Sequence, residues 1–201
     1  MSAYRISDLI SDAASLVRRR SSVRAVWLKK RIDPNLREQV LVAVAEAVGC
    51  RICSFAHREV ILDSGGSVHA LADFEGEEDK DDRTFTAVVW AQSLVENDFQ
   101  GTSPAVDREF RDRFNDHERY DLETVATTMK LASSCGYEAD GLVARLRGKP
   151  RPDSELGNEI IMASLYFPPA IVGGGLLMAK RREVKGVLRD FRSFSKRFDH
   201  R

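Results

Sequence analysis

The chain is poor in the residues that shape loop-rich and disulfide-bonded proteins. It has three cysteines, six prolines and 13 glycines among 201 residues. Three cysteines are too few for a disulfide scaffold, and an odd number leaves at least one unpaired. So few prolines and glycines argue against a turn-rich β-sandwich or barrel and leave room for long helices.

The chain also has a formal net charge of zero, since 31 basic side chains balance 31 acidic ones. A zero balance gives no support to a nucleic-acid-binding protein, whose affinity comes largely from neutralising phosphates. The first residues, with Arg5, Asp8 and Asp12, lack the apolar core of a secretory signal. We therefore expect a soluble, cytoplasmic protein with no nucleic-acid partner.

The balanced charge hides three blocks of uneven sign. Residues 18–31 are basic without an acidic residue, residues 73–82 are acidic apart from one lysine, and residues 180–201 are basic again. Blocks of this kind are usually solvated faces or loop tips. Blocks of opposite sign could also pair between copies of the chain in an oligomer.

Apolar residues recur at the three-to-four spacing of helices from end to end of the chain. Asp33-Pro34 and Ser103-Pro104 are typical helix starts, in which a capping residue precedes proline. Helices are predicted at residues 6–14, 36–48, 50–64, 67–74, 83–96, 106–114 and 122–134. Gly136 is expected to end the last of them. No segment alternates apolar and polar residues long enough for a sheet, so the predicted fold class is all-α.

The segment 149–153 marks a boundary, because its two prolines are two residues apart and cannot lie within a helix. Beyond it, residues 160–179 carry no charge and reach the length of a membrane span. Pro168-Pro169 and the glycines at 173–175 would break a spanning helix and leave backbone groups unpaired in lipid. We therefore expect two short apolar helices on the core or on a partner subunit, and no membrane span.

The segment from Glu38 to His57 carries the candidate chemistry. Cys50 and Cys53 are three residues apart and His57 follows Cys53 by four, so on a helix all three project from one side. A thiol in the first turn of a helix feels the positive end of the helix dipole, which lowers its pKa. His57 can take the thiol proton or orient a water, and Glu38 or Glu46 can fix its protonation state. Two-electron reduction of a peroxide or a disulfide requires such a set of groups.

Other sites that use these residues are incomplete. A structural zinc site needs a fourth ligand beyond Cys50, Cys53 and His57, and Cys135 could supply it only if the fold brings it close. A c-type haem needs His directly after the second cysteine, where this chain has Ser54. A thioredoxin domain would place the motif beside a βαβ pattern, and none is visible. We expect no metal and no cofactor, and we assign Cys135 to core packing.

In residues and spacing, the segment 38–57 resembles the carboxymuconolactone decarboxylase-like superfamily, specifically its alkylhydroperoxidase (AhpD-like) branch. The pattern in that branch is a Glu, eleven residues, and then Cys-x-x-Cys-x-x-x-His. Glu38, Cys50, Cys53 and His57 match it.

The resemblance also implies a domain organisation. The order of helices and glycines over residues 33–147 is similar to the family's helical core, which implies an AhpD-like bundle there. Residues 1–32 would be an N-terminal helical extension, and residues 148–201 an additional C-terminal helical segment. Members of this branch often carry His or an aromatic residue between the cysteines, where this sequence has Arg51 and Ile52.

The activity that the resemblance implies is reduction of hydroperoxides by the cysteine pair. Cys53 would attack the peroxide and Cys50 would resolve the product, while His57 and Glu38 would relay the proton. A dithiol or a thioredoxin-like protein would donate the electrons. The chain would assemble through helix packing into a homo-oligomer, such as a dimer, trimer or hexamer.

Two functions of other classes fit the same sequence. The Cys/His cluster could act without turnover, as a redox sensor or a metal-binding module in an oligomer. The chain could also be an oligomeric scaffold whose apolar C-terminal segment docks a partner or a membrane surface.

Overall fold

Helices make up most of the chain that the structure describes. The computed structural model describes residues 4–66, 68, 82–152, 154–181 and 184–198. Within these residues there are helices, turns and loops but no strand. The predicted all-α fold class is confirmed.

The helices are defined by the following limits. They are α1 Ile6–Arg18, α2 Arg20–Trp27, α3 Pro34–Val48, α4 Arg51–Asp63, α5 Asp82–Glu96, α6 Pro104–Arg113, α7 Asp116–Leu146, α8 Leu156–Arg181 and α9 Val184–Ser195. A short 3-10 turn, Lys196–Phe198, follows α9. The helix predicted at residues 67–74 lies almost wholly outside the described residues, as does the acidic stretch before α5.

Two helix starts follow from capping residues visible in the sequence. Asp33 accepts a hydrogen bond from the backbone N–H of Leu36 at 3.0 Å, and Ser103 accepts one from Val106 at 3.4 Å. Such an acceptor satisfies a backbone donor that the first turn leaves without a partner. Proline follows each cap, where its missing N–H costs no hydrogen bond. Both predicted starts are confirmed.

Helix α7 is longer than the sequence pattern predicts. It begins at Asp116, because Asn115 and Glu118 form a reciprocal capping box with hydrogen bonds of 3.0 Å. It also continues through Gly136 to Leu146. The prediction that Gly136 ends the helix is wrong, because this glycine lies at a close packing contact inside the bundle.

Helix α8 is continuous where two short helices were expected. It runs from Leu156 to Arg181 and contains both Pro168 and Pro169. The two prolines lie on an exposed part of the helix, where water can bond the carbonyl groups that lose their backbone partner. The expectation of a break in this segment is therefore wrong. Within the described residues, no helix has both the length and the apolar character needed to cross a membrane.

Helix α3 lies at the centre of the fold. Consecutive residues point all around a helix, and six in a row here are at most 3% exposed, namely Val40, Leu41, Val42, Ala43, Val44 and Ala45. The helix packs against α4, α5 and α7. It therefore holds the residues of its first two turns, Glu38 among them, inside the protein.

A buried carboxylate joins the N-terminal helices to α7. Asp121 has no exposed surface, and it accepts hydrogen bonds from the Ser22 hydroxyl at 2.5 Å and from two nitrogens of Arg31 at 2.6 Å. A buried charge is tolerated when it is paired and hydrogen-bonded in this way. Arg31, which belongs to the basic block 18–31, therefore pairs with a buried carboxylate and is not only a surface residue.

Two glycines let α8 lie close against α7. A Cβ atom added at Gly136 would lie 2.6 Å from Sγ of Cys50 and 2.8 Å from the ring of Tyr166. One added at Gly141 would lie 3.0 Å from Oε1 of Glu159, which is fully buried. Arg145 donates hydrogen bonds of 2.7 and 3.2 Å to this carboxylate. Helix α8 is thereby held against α7, the helix that passes the cysteine pair.

We expect Gly136→Ala to lower the free energy of unfolding by about 1–3 kcal/mol. The new methyl group would overlap with the side chains of Cys50 and Tyr166, and neither side chain can move away freely. Gly173→Ala is the matched control, since nothing lies within 4 Å of a Cβ added at this position in α8. It should raise the free energy of unfolding by up to about 1 kcal/mol, the usual gain of alanine over glycine in a helix. Urea unfolding followed by circular dichroism measures both, and a stabilising Gly136→Ala would contradict the close packing.

Candidate redox site at the start of helix α4

The two cysteines lie where a tight turn leads from α3 into α4. Gly49 ends α3 with a φ of 90°, in the left-handed region that favours glycine. Cys50 is then the N-cap of α4, and its sulfur accepts a hydrogen bond from the backbone N–H of Cys53 at 3.3 Å. The positive end of the helix dipole therefore lies beside both sulfurs, where it favours a thiolate.

The pair is present as a disulfide within the protein interior. The sulfurs of Cys50 and Cys53 are bonded, and their Cα atoms are 5.4 Å apart. Cys50 is 1% exposed and Cys53 is 7% exposed. Both cysteines are therefore largely shielded from solvent, Cys50 slightly more than Cys53.

His57 lies one turn beyond Cys53 on α4 and is held by a carboxylate of α3. Its Nδ1 is 2.6 Å from Oε2 of Glu38, while Arg37 donates hydrogen bonds of 2.6 and 3.0 Å to Oε1. Burial acts to raise the pKa of Glu38, but the hydrogen bonds and charges of His57 and Arg37 outweigh it, and the pKa lies below its usual value. An ionised Glu38 thus fixes the ring through Nδ1 and leaves Nε2 for proton exchange.

The other charged residues considered for this site have partners elsewhere. Glu46, the alternative carboxylate, forms an ion pair of 2.9 Å with Arg58. Arg51, which stands between the cysteines, forms one of 3.1 Å with Asp140 of α7. Of the two candidate carboxylates, the structure joins Glu38 to His57.

Cys135 does not take part in the disulfide. It is buried on α7, where its thiol contacts the sulfur of Met162 at 3.6 Å. Burial, with a smaller contribution from the charges of Asp12 and Glu138, raises the pKa of this thiol to about 11. Among the described residues, no group of three or more His, Cys, Asp or Glu side chains is placed to hold a metal ion.

Sequence reasoning missed the side chain that contacts both sulfurs. The hydroxyl of Tyr166 is 3.4 Å from Sγ of Cys53 and 3.6 Å from Sγ of Cys50. Tyr166 belongs to α8 and is 8% exposed. The one signal in the sequence is a tyrosine within an uncharged apolar segment, since a buried tyrosine usually needs a partner for its hydroxyl.

His57, in contrast, makes no direct hydrogen bond to sulfur. In the part of the chain that the structure describes, Glu38 is its one hydrogen-bond partner. Because Nδ1 is held by Glu38, Nε2 is the ring nitrogen left for exchange with a water or a reactant. The site thus has a histidine–carboxylate pair toward solvent and a phenol on its buried side.

We expect Glu38→Gln to lower the free energy of unfolding by about 1–3 kcal/mol at pH 7, because a hydrogen-bonded buried ion pair is lost. A carboxyl with a lowered pKa stabilises the fold above its unfolded-state pKa, and this contribution disappears as pH falls through the lower folded-state value. The difference between the variant and the wild type should therefore shrink below about pH 4. Urea unfolding at several pH values measures it.

Glu109→Gln is the control for this substitution. Glu109 lies on α6, and its side chain, which pairs with Arg113, is 53% exposed. Exposed pairs of this kind contribute little, so we expect a change below about 0.5 kcal/mol at every pH. A Glu38→Gln effect that did not depend on pH would contradict the ionised state of Glu38.

No family model, curated protein or solved structure matches this chain. The similarity of residues 38–57 to the alkylhydroperoxidase branch therefore rests on four residues and their spacing.

Proposed function

We propose that the protein is a thiol-dependent peroxidase or disulfide oxidoreductase of AhpD-like type that cycles Cys50 and Cys53 between dithiol and disulfide. The observation that carries this proposal is the hydrogen bond of 2.6 Å between His57 and Glu38, one turn from a disulfide at a helix start. A disulfide that only stabilises the fold does not need a proton-transferring group beside it. A pair that reacts needs a group to move its protons.

The proposed reaction converts a hydroperoxide and the dithiol to an alcohol, water and the disulfide. The thiolate of Cys53 attacks one oxygen of the hydroperoxide, the O–O bond breaks, and the alcohol leaves with a proton. The thiol of Cys50 then attacks the sulfenic acid on Cys53. A sulfur–sulfur bond forms, and hydroxide leaves as water with the proton from Cys50. A dithiol donor supplies two electrons and two protons to restore the thiols.

Exposure supports Cys53 as the attacking residue. The exposed fraction is 29% for the side chain of His57, 7% for Cys53 and 1% for Cys50. A peroxide that enters beside His57 reaches Cys53 first and leaves Cys50 behind it as the resolving thiol. His57 accepts the proton of Cys53 directly or through a water, and the carboxylate of Glu38 stabilises the imidazolium.

The proposal includes the partners and the compartment that this cycle needs. The electron donor is a small dithiol or a thioredoxin-like protein, and the reducing cytoplasm keeps such donors available. Exposed apolar residues on α8, such as Leu165, Ile171 and Val172, favour assembly into a homo-oligomer.

We expect Cys53→Ser to abolish peroxide consumption with dithiothreitol as the donor, because no thiolate remains at the attacking position. Cys50→Ser should slow turnover strongly, since dithiothreitol must then reach the sulfenic acid on the buried Cys53 itself. Cys135→Ala is the control and should retain turnover, because Cys135 contacts Met162 rather than the pair. Unchanged turnover in Cys53→Ser would overturn the proposal.

A redox sensor that uses the same pair is the second candidate. The burial of both cysteines favours it, since low exposure slows repeated encounters with peroxide and reductant. A sensor would consume about one equivalent of peroxide per chain in a burst and then slow to the rate at which dithiothreitol reduces its buried disulfide. Consumption over many equivalents at the initial rate, without a burst, separates the peroxidase from the sensor.

A further inference from the structure

We propose that Tyr166 is a catalytic residue whose hydroxyl donates a hydrogen bond to the thiolate that forms when the disulfide between Cys50 and Cys53 is reduced. The residue comes from α8, outside the segment that carries the Cys/His pattern. The inference rests on the proposed function only in requiring that the pair cycle between disulfide and dithiol. It does not require that the oxidant be a peroxide.

The hydroxyl of Tyr166 lies close to both sulfurs of the pair. It is within 3.6 Å of both sulfurs, and among the described residues these sulfurs are its only hydrogen-bond partners. A sulfur in a disulfide is a weak acceptor, whereas a thiolate carries a full charge and accepts strongly. The contact is therefore weak in the disulfide and strong in the reduced pair, and it favours reduction.

The surroundings of Tyr166 keep it in place and keep it protonated. Its ring packs against the backbone of α7 at Gly136 and edge-on against Phe167, with ring centroids 6.0 Å apart. Burial, with a smaller contribution from the charge of Asp140, raises the pKa of the phenol above its usual value. The O–H group therefore remains a donor at any pH at which the thiols titrate.

Besides the positive end of the α4 dipole, two hydrogen-bond donors among the described residues reach the sulfurs of the pair. Both cysteines are at most 7% exposed, so a thiolate there is largely cut off from water and depends on donors of the protein. The backbone N–H of Cys53 reaches Cys50 at 3.3 Å. Tyr166 is the donor that reaches Cys53 as well.

Reduction transfers two electrons and one proton from a dithiol donor to the disulfide, which becomes one thiol and one thiolate. The donor becomes a disulfide and releases its second proton to solvent. The phenol keeps its proton and only strengthens its hydrogen bond. The hydrogen bond lowers the pKa of the thiol and, above that pKa, shifts the equilibrium toward the reduced pair. Below that pKa no thiolate forms, and this shift disappears.

The experiment compares Tyr166→Phe with Tyr137→Phe, both in full-length protein carrying Cys135→Ala. Tyr137 is the matched control because it lies next to Gly136 on α7 and its ring packs beside Gly49. The absorbance of the reduced proteins at 240 nm against pH reports the thiolate, and Cys135→Ala removes the third thiol. We expect Tyr166→Phe to raise the pKa of the more acidic thiol by about 1, as loss of a charge-assisted hydrogen bond should, and Tyr137→Phe to leave it unchanged.

Equilibration with dithiothreitol redox buffers gives a second readout. Above the thiol pKa, we expect Tyr166→Phe to lower the equilibrium constant for reduction about tenfold, which is about 30 mV for a two-electron couple. Below the thiol pKa, we expect no change. An equal change on both sides of the pKa would indicate altered packing and would overturn the proposal.

Two further results would overturn the proposal. One is an unchanged thiol pKa in folded Tyr166→Phe, and the other is an equal rise of the thiol pKa in Tyr137→Phe. If Tyr166→Phe does not fold, 3-fluorotyrosine in place of Tyr166 tests the opposite sign, because a more acidic phenol donates more strongly and should lower the thiol pKa. Absence of peroxide turnover in the wild type would overturn the peroxidase alone, since none of these readouts uses peroxide.

Discussion

Helix α7 passes Cys50 with no side chain between its backbone and the sulfur, because residue 136 is glycine. This close approach has two consequences for the site. It closes the buried side of the cysteine pair, and it lets α8 come near enough for Tyr166 to reach both sulfurs. The buried Glu159, held by Arg145, fastens α8 to α7 along the same contact. The geometry around the disulfide thus depends on how tightly two long helices pack.

The site divides the control of charge between two sides. Toward solvent, the carboxylate of Glu38 holds His57, and the hydrogen bonds and charges of His57 and Arg37 keep the pKa of that carboxylate low inside the protein. On the buried side, a neutral phenol faces the sulfurs. The first arrangement holds His57 through Nδ1 and leaves Nε2 available for proton exchange. The second, a phenol whose pKa is raised by burial, keeps its proton, and the role proposed for it is to stabilise charge on sulfur where water does not reach.

Local signals in the sequence predicted much of the fold. The caps at Asp33 and Ser103 act within three residues, so their helix starts could be located without any knowledge of the tertiary structure. The capping box of Asn115 and Glu118 is also local and could have located the start of α7. The continuation of α7 past Gly136 and the continuity of α8 could not be predicted in this way. Glycine weakens an isolated helix, but inside a bundle it can be required where another part of the protein packs closely against the helix backbone. The sequence around Gly136 does not show which of these cases applies.

The sequence by itself determined the helical class and the spacing that sets Cys50, Cys53 and His57 on one side of a helix, because both depend on residues a few positions apart. Only the tertiary structure decided that Glu38 rather than Glu46 holds His57, since this depends on how α3 and α4 meet. It alone brought Tyr166 to the sulfurs. A contact between residues more than a hundred positions apart is set by the packing of whole helices, and no local pattern records it.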